Sequence, residues 1–369
     1  MRRSGHLVLL AAATALTQPA WAQQATTTLE DTGKAFVIRV GPVDLPAPME
    51  MEGMDHGHAG IYPPIGTVTV PRDGYLYGFD YEVFDANGNQ LPSNIVHHFN
   101  IIDPDNRELF LPISRRLMAA GSETGGQSMP WMLLGLPVTE GQRMVVSVML
   151  HNPTGQEHLD TELRIRLRYV KTGRPWPFLK VYPYQLDVAF PAGDKSFDLP
   201  PGESSRSYVA SPAIPGRLMV MGTHMHEYAT NVVFEDVTES RIIWEGFPVE
   251  EDGELTGVTM GRLYRRFGVK IFPDHSYRVT VHYDNPTGEV IPDGGMGVVA
   301  GVFMPSGNEP WPAADTSDPL YTLDREHYTR VVRGVYDLIK EGGGRVGEEM
   351  KMEKATDHQH TEATAHSRN

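Results

Sequence analysis

Along residues 34–310 the apolar positions alternate with polar ones in short runs, and Gly, Pro, Asn and Asp punctuate them. AFVIRV, GTVTVP, YLYGFDYEVF, VVSVML and LRIRLRYV are β-branched or alternating segments, separated by turn-forming stretches such as DANGNQLP and DPDN. A period of two places alternate residues on one face of a strand, and such runs broken by turn chemistry predict antiparallel strands. No helical period of useful length interrupts them. The pattern predicts an all-β chain of two tandem antiparallel β-sandwich, jelly-roll-like domains.

A Pro- and aromatic-rich stretch, KTGRPWPFLK (171–180), divides the β region, and the alternation restarts with LDVAF, LMVMGTHMH, NVVFEDV, YRVTVHY and GVVAGVFM. SVMLHNPTG (147–155) and TVHYDNPTG (280–288) echo one another near the end of each half. Asn-Pro-Thr-Gly is also ordinary turn chemistry, so the echo alone does not prove a repeat. The expected domains are 30–172 and 173–312. A C-terminal extension, 313–345, carries Tyr328, Val331, Val332, Val335, Leu338 and Ile339 at helical spacing and predicts a helix over 324–341. The polar segment 346–369 reads as a disordered tail.

The start, MRRSGHLVLLAAATALTQPAWAQQ, joins a short basic stretch, an apolar run and the small-x-small triplet Ala20-Trp21-Ala22. It predicts a signal peptide over residues 1–22 and a periplasmic or secreted protein without membrane insertion. The chain has 369 residues, a formal charge of −15 and no cysteine. Disulfides and thiolate metal sites are therefore excluded. The acidic balance argues against nucleic acid as a partner.

Two histidines of GTHMHEYATN, His224 and His226, are spaced to share one strand face, where both can reach one ion; the alternative is a half-buried pair hydrogen-bonding within the sheet. His97 and His98 are adjacent, so an ideal strand points them apart, and only a bulge or strong twist brings them together. His151, ending VVSVML, is a third imidazole for that pair. Met296, in GGMGVV, is a sulfur donor for the other, and a thioether favours copper, Cu(I) above all. MEMEGMDHGHAG adds Met49, Met51, Met54, His56 and His58, a Met/His stretch of the kind that binds copper without fixed geometry. His358, His360 and His366 stand in the tail.

His-His, a later strand-borne His, His-x-His and a final Met form the ligand order of the type II ascorbate-dependent copper monooxygenases. The chain resembles that family, which includes peptidylglycine α-hydroxylating and dopamine β-monooxygenases, over about residues 60–305. NIVHHFNIID, LMVMGTHMHEYATNVVFEDV, RIIWEGFP and DHSYRVTVHYDNPTG follow in the family's order. The resemblance implies two coppers, an electron-transfer ion on His97, His98 and His151 and an oxygen-activating ion on His224, His226 and Met296. It implies hydroxylation of a C–H bond in a small-molecule substrate by dioxygen, with ascorbate or another one-electron donor. A non-catalytic copper binder for storage, delivery or resistance is the alternative on the same fold.

Three positions depart from the peptide-amidating pattern: Gly222 stands where the family's carboxylate-anchoring Arg would be, and Val298 and Ala300 replace an Asn and a Tyr. Glu123-Thr124-Gly125 is similar to a family motif but lies too far before His151 to be given a role. His282 falls one strand register from an expected family position, as a core histidine or an alternative ligand.

Overall fold

The computed structural model describes residues 25–47, 61–121, 125–173, 175–189, 193, 195–251, 254–307 and 310–340, with helix side chains described to 329. The expected signal peptide, the Met/His stretch (Met49, Met51, Met54, His56 and His58), Glu123-Thr124 and the tail histidines lie outside these residues. The described chain is almost wholly β, as the alternation predicts, with a single long helix among the described residues.

The first sandwich packs a large sheet on a four-stranded one. The large sheet is built around Ala35–Leu45, Gly74–Phe84 and the long strand His158–Lys171. The smaller runs Gly66–Thr69, Arg143–Leu150, Val96–Arg107, Ser114–Gly121 in spatial order. Their inner faces close over one apolar core that includes Phe36, Ile38, Leu76, Phe99, Ile101, Val146 and Ile165. In Arg143–Leu150 the alternate residues Met144, Val146 and Val148 all point into it, which is why this strand reads as apolar-polar in sequence.

The second sandwich faces two four-stranded sheets. One runs Tyr182–Asp187, Gly297–Pro305, Gly216–Met225, Val269–Ile271; the other runs Gly202–Ala210, Tyr277–Asn285, Ala229–Asp236, Arg241–Gly246. Its core includes Leu186, Leu218, Met221, Val232, Phe234, Val279 and Phe303.

The repeated Asn-Pro-Thr-Gly turns are built identically. Asn152 Nδ2 donates to Leu45 O, Pro46 O and Gln156 O, while its Oδ1 accepts from the Thr154 amide and hydroxyl. Asn285 Nδ2 donates to Leu199 O, Pro200 O and Glu289 O, and its Oδ1 accepts from the Thr287 amide and hydroxyl. In each half one amide side chain closes its own turn and ties it to the end of a distant strand. Turn propensity alone would not demand that second role.

The two halves are interlocked, which a division at residue 172 does not anticipate. Leu109, Phe110, Leu111 and Ile113, from a loop of the first half, are members of the second core. Phe110 lies edge-on to Tyr184, Phe234 and Tyr277 at centroid distances of 6.0, 6.0 and 6.1 Å. A second seam joins Leu133 and Leu134 of the first half to Met219, Val220, Val302 and Met304 of the second. The interdomain stretch adds a parallel pairing, Leu179 with Leu134 and Lys180 with Gly135.

The helix is Pro319–Lys340 and begins a turn earlier than its apolar spacing indicates. Asp318 Oδ1 accepts from the Leu320 amide, and Pro319 takes the first helical position, where no amide hydrogen is needed. Tyr321, Asp324 and Tyr328 are buried. Arg116 forms a two-pronged pair with Asp324, both contacts at 2.6 Å, so the helix is tied to the first sandwich by charge as well as by apolar contact.

Candidate metal centre

His224 lies within Gly216–Met225 and His226 directly follows it. This strand pairs antiparallel with Gly297–Pro305: Gly222 opposite Ala300, His224 opposite Val298, Met225 opposite Gly297. The pairing ends there, and His226 and Met296 each lie one residue beyond it. Residues directly opposite in such a ladder share a face, so Gly222 and His224 run beside Ala300 and Val298 on one surface, with His226 and Met296 just beyond its end. Met221 and Met225 point the other way, into the core. The far end of this outer surface forms the seam with the first sandwich through Val220, Val302 and Met304.

The imidazoles of His224 and His226 have centroids 5.3 Å apart with their planes at 88°. Two imidazoles sharing an ion at about 2 Å each have ring centres roughly 3 Å from it. At tetrahedral to trigonal angles that places the centres about 5–5.5 Å apart. Packed rings also meet at such distances, so the spacing admits a shared ion without requiring one. Two imidazoles and a thioether suit copper in chemistry.

Tyr283 fixes this end of the sheet. Its hydroxyl reaches from the opposite sheet, donates to Met296 O, and accepts from the amides of Met296 at 2.9 Å and His226 at 3.3 Å. The ring is 2% exposed, and burial pushes the phenol up to about 12, so it stays a neutral donor. One hydroxyl therefore sets the spacing between two candidate ligands on different strands. No sequence motif marks it; the only signal is a Tyr at a core position of an alternating strand.

A third strand extends the same surface. Asp187 pairs with Val298 and Gln185 with Ala300, so both lie on the His224 face. Asp187 is fully buried; its Oδ1 accepts from the Ala189 amide at 2.9 Å and its Oδ2 stands 3.7 Å from Lys195 Nζ. Burial pushes its carboxyl up to about 6, against the pull of Lys195 and, more weakly, of His224. A charge in the otherwise alternating LDVAF was the signal for it.

In the first sandwich the bulge that adjacent histidines require is present. His98 pairs with Met149 and Val96 with Leu150, leaving His97 as the extra residue. His97 comes within 5.2 Å of His98 and 5.6 Å of His151, centroid to centroid. His151 is anchored by its amide, which donates to Ile95 O at 2.9 Å. His97 is thus in ring contact with both of the other imidazoles. Among the described residues no three His, Asp or Glu side chains gather as one metal-ligand group.

His282 belongs to neither site. It lies on Tyr277–Asn285, where Val281 and Tyr283 point inward, and it lines a shallow outer groove with Ser207, Glu235 and Arg278. The alternation of the strand sends it away from Met296, so it is neither a core histidine nor an alternative ligand there.

No family model matches the chain, and no curated protein matches it. Among solved structures it is similar to PNGF-II, at 9% identity and a TM-score of 0.33, over 75% of this chain and 66% of that one. It is also similar to a fucolectin from striped bass (Morone saxatilis) serum, at 9% identity and a TM-score of 0.18, over 72% and 96% of the two chains. A secreted protein from Parabacteroides distasonis aligns at 8% identity with a TM-score of 0.16, over 76% and 92%. Likenesses at this level assign the chain to no family.

Proposed function

We propose that this chain is an exported copper-dependent monooxygenase that hydroxylates a C–H bond of a small substrate with dioxygen and a one-electron reductant such as ascorbate. The observation that supports the reading is the approach of the His224 and His226 imidazoles at the end of a strand whose backbone Tyr283 ties to that of Met296. The side chains of His224, His226 and Met296 would hold the oxygen-activating copper; the family resemblance gives the electron-transfer copper to His97, His98 and His151, which would have to close further around an ion, since among the described residues they do not form one three-ligand group. Copper bound there supplies one-electron redox chemistry with dioxygen. The protein's part is to fix the donors, to shield one side of the site with the buried Val298 and Asp187, and to leave the half-buried imidazoles open on the other.

A second reading, a copper carrier without catalysis, draws on a specific observation. The rows beside His224 hold Gly222, Ala300 and Val298, and none of them offers a charged anchor for a substrate. Copper content of the purified mature chain, followed by oxygen uptake with ascorbate across a substrate panel, separates the readings. Two coppers with substrate-dependent uptake support the enzyme, and two coppers with no coupled oxidation support the carrier. No bound copper, with His224→Ala indistinguishable from the parent, removes both.

A further inference from the structure

Three exposed aromatic rings surround the seam between the two halves. Met129, Leu133, Leu179 and Tyr264 all pack against its buried centre, Leu134, Val181 and Met219. Trp131 stands between Met129 and Leu133 in the chain, Phe178 is next to Leu179, and Phe267 directly follows the short helical turn Leu263–Arg266 that carries Tyr264. Trp131, Phe178 and Phe267 are 44, 65 and 83% exposed, and Met132 beside them is 48% exposed. The Phe178 amide donates to Met132 O at 3.2 Å, which joins two of the three tips.

Phe267 is held in its place. Its φ of 61° lies in the left-handed region, which bulky side chains disfavour. Its amide donates to Tyr264 O at 3.1 Å, the Gly268 amide to Leu263 O at 3.0 Å, and Arg217 Nη1 to Phe267 O at 3.0 Å. The fold thus maintains a disfavoured backbone in order to present a ring that gains little from the core.

The same rim is basic in an acidic chain. Segments 125–138, 171–186 and 255–273 contain no Asp or Glu, although the whole chain has 47. Arg262, Arg265, Arg266 and Lys270 are exposed around Phe267, and among the described residues none of them is in an ion pair.

Aromatic rings on turn tips beside uncompensated cations suit the surface of an anionic bilayer, where rings enter at headgroup level and cations meet phosphates. Two copies docked symmetrically through this rim would set its cations against one another. The rings project from separate turns and close no pocket around a protein side chain, which favours a soft, planar partner. We infer that this rim docks the chain peripherally on an anionic phospholipid surface. The attachment is made by the side chains of these turns and stands or falls separately from the copper reading.

The test is co-sedimentation of the mature chain with vesicles. Vesicles of equal parts phosphatidylcholine and phosphatidylglycerol should carry the chain down at low salt, and phosphatidylcholine alone should not. Added salt should weaken the binding, because exposed charges are screened. Phe267→Gly suits the left-handed backbone and leaves the turn intact, and it should weaken binding roughly tenfold through lost apolar burial. Arg265→Glu combined with Arg266→Glu should weaken it by at least about tenfold. Circular dichroism verifies the fold of both variants. A parent chain that stays in the supernatant with both kinds of vesicle overturns the inference; if that chain self-associates and Phe267→Gly makes it monomeric, the rim is a protein interface instead. Vesicle binding unchanged in both variants also overturns it, since the contact then lies elsewhere.

Discussion

Replacing Tyr283 by Phe removes a single oxygen, and its consequence can be worked through from the structure. That hydroxyl serves three backbone groups: Met296 N–H, Met296 C=O and His226 N–H. A typical hydrogen bond contributes about 0.5–1.5 kcal/mol net, while a buried polar group left without a partner costs about 1–3 kcal/mol. The three bonds share one hydroxyl and the strand ends are only part-buried, so water recovers some of the loss. The expected destabilisation is on the order of 2–3 kcal/mol, read from urea unfolding at neutral pH. The ring itself stays packed edge-on against Phe197, at a centroid distance of 6.0 Å, so the core is not emptied. If the hydroxyl also spaces the ligands, copper affinity should fall in the folded variant, whereas copper binding in Phe197→Leu should hold. A change in unfolding free energy below about 0.5 kcal/mol, with copper binding unaltered, would refute the clasp.

Phe110→Ala should cost about 3–5 kcal/mol, because it empties a site in the second core filled from the first half; differential scanning calorimetry should show the two halves no longer unfolding together. Asp324→Asn strips Arg116 of its charged partner in a buried setting and should cost about 3–5 kcal/mol in chemical unfolding. Glu108 is fully buried, and that burial pushes its carboxyl from the ordinary 4.5 up to about 7, against the Arg116 amide and nearby cations. Between those values the unfolded chain releases a proton that the folded chain keeps. Its contribution is therefore full below about pH 4.5 and is lost as the pH rises through about 7, by on the order of 3 kcal/mol. Glu108→Gln should remove this part of the decline in unfolding free energy measured from pH 4.5 to 7.5; an unchanged profile would place the titration elsewhere.

The alternation of AFVIRV, VVSVML and YRVTVHY determined strand, face and core membership, because a sheet with one buried side imposes a period of two that composition can display. The same rule was enough to set His224 and His226 on one face and to require a bulge at His97-His98. The helix was legible from its spacing, but its start at Pro319 was not, since capping by Asp318 is a local choice that leaves no periodic trace. His282 shows how little margin the rule allows: one register step sends a side chain to the outer face of the sheet.

What only the tertiary structure decided is which distant segments meet. Asp187 in the His224 row, Tyr283 reaching across the core to the backbones of His226 and Met296, and Met260 over Gly222 each depend on the register of strands far apart in the chain. Phe110, in a loop of the first half, likewise belongs to the second core only by virtue of the fold. A chain's periodicity reports the environment of each position along its own strand. The partner across the ladder is chosen by packing of the whole sheet, and for that reason the two imidazoles could be read from GTHMHEYATN while the Tyr283 clasp that ties His226 to Met296 could be seen only in the fold.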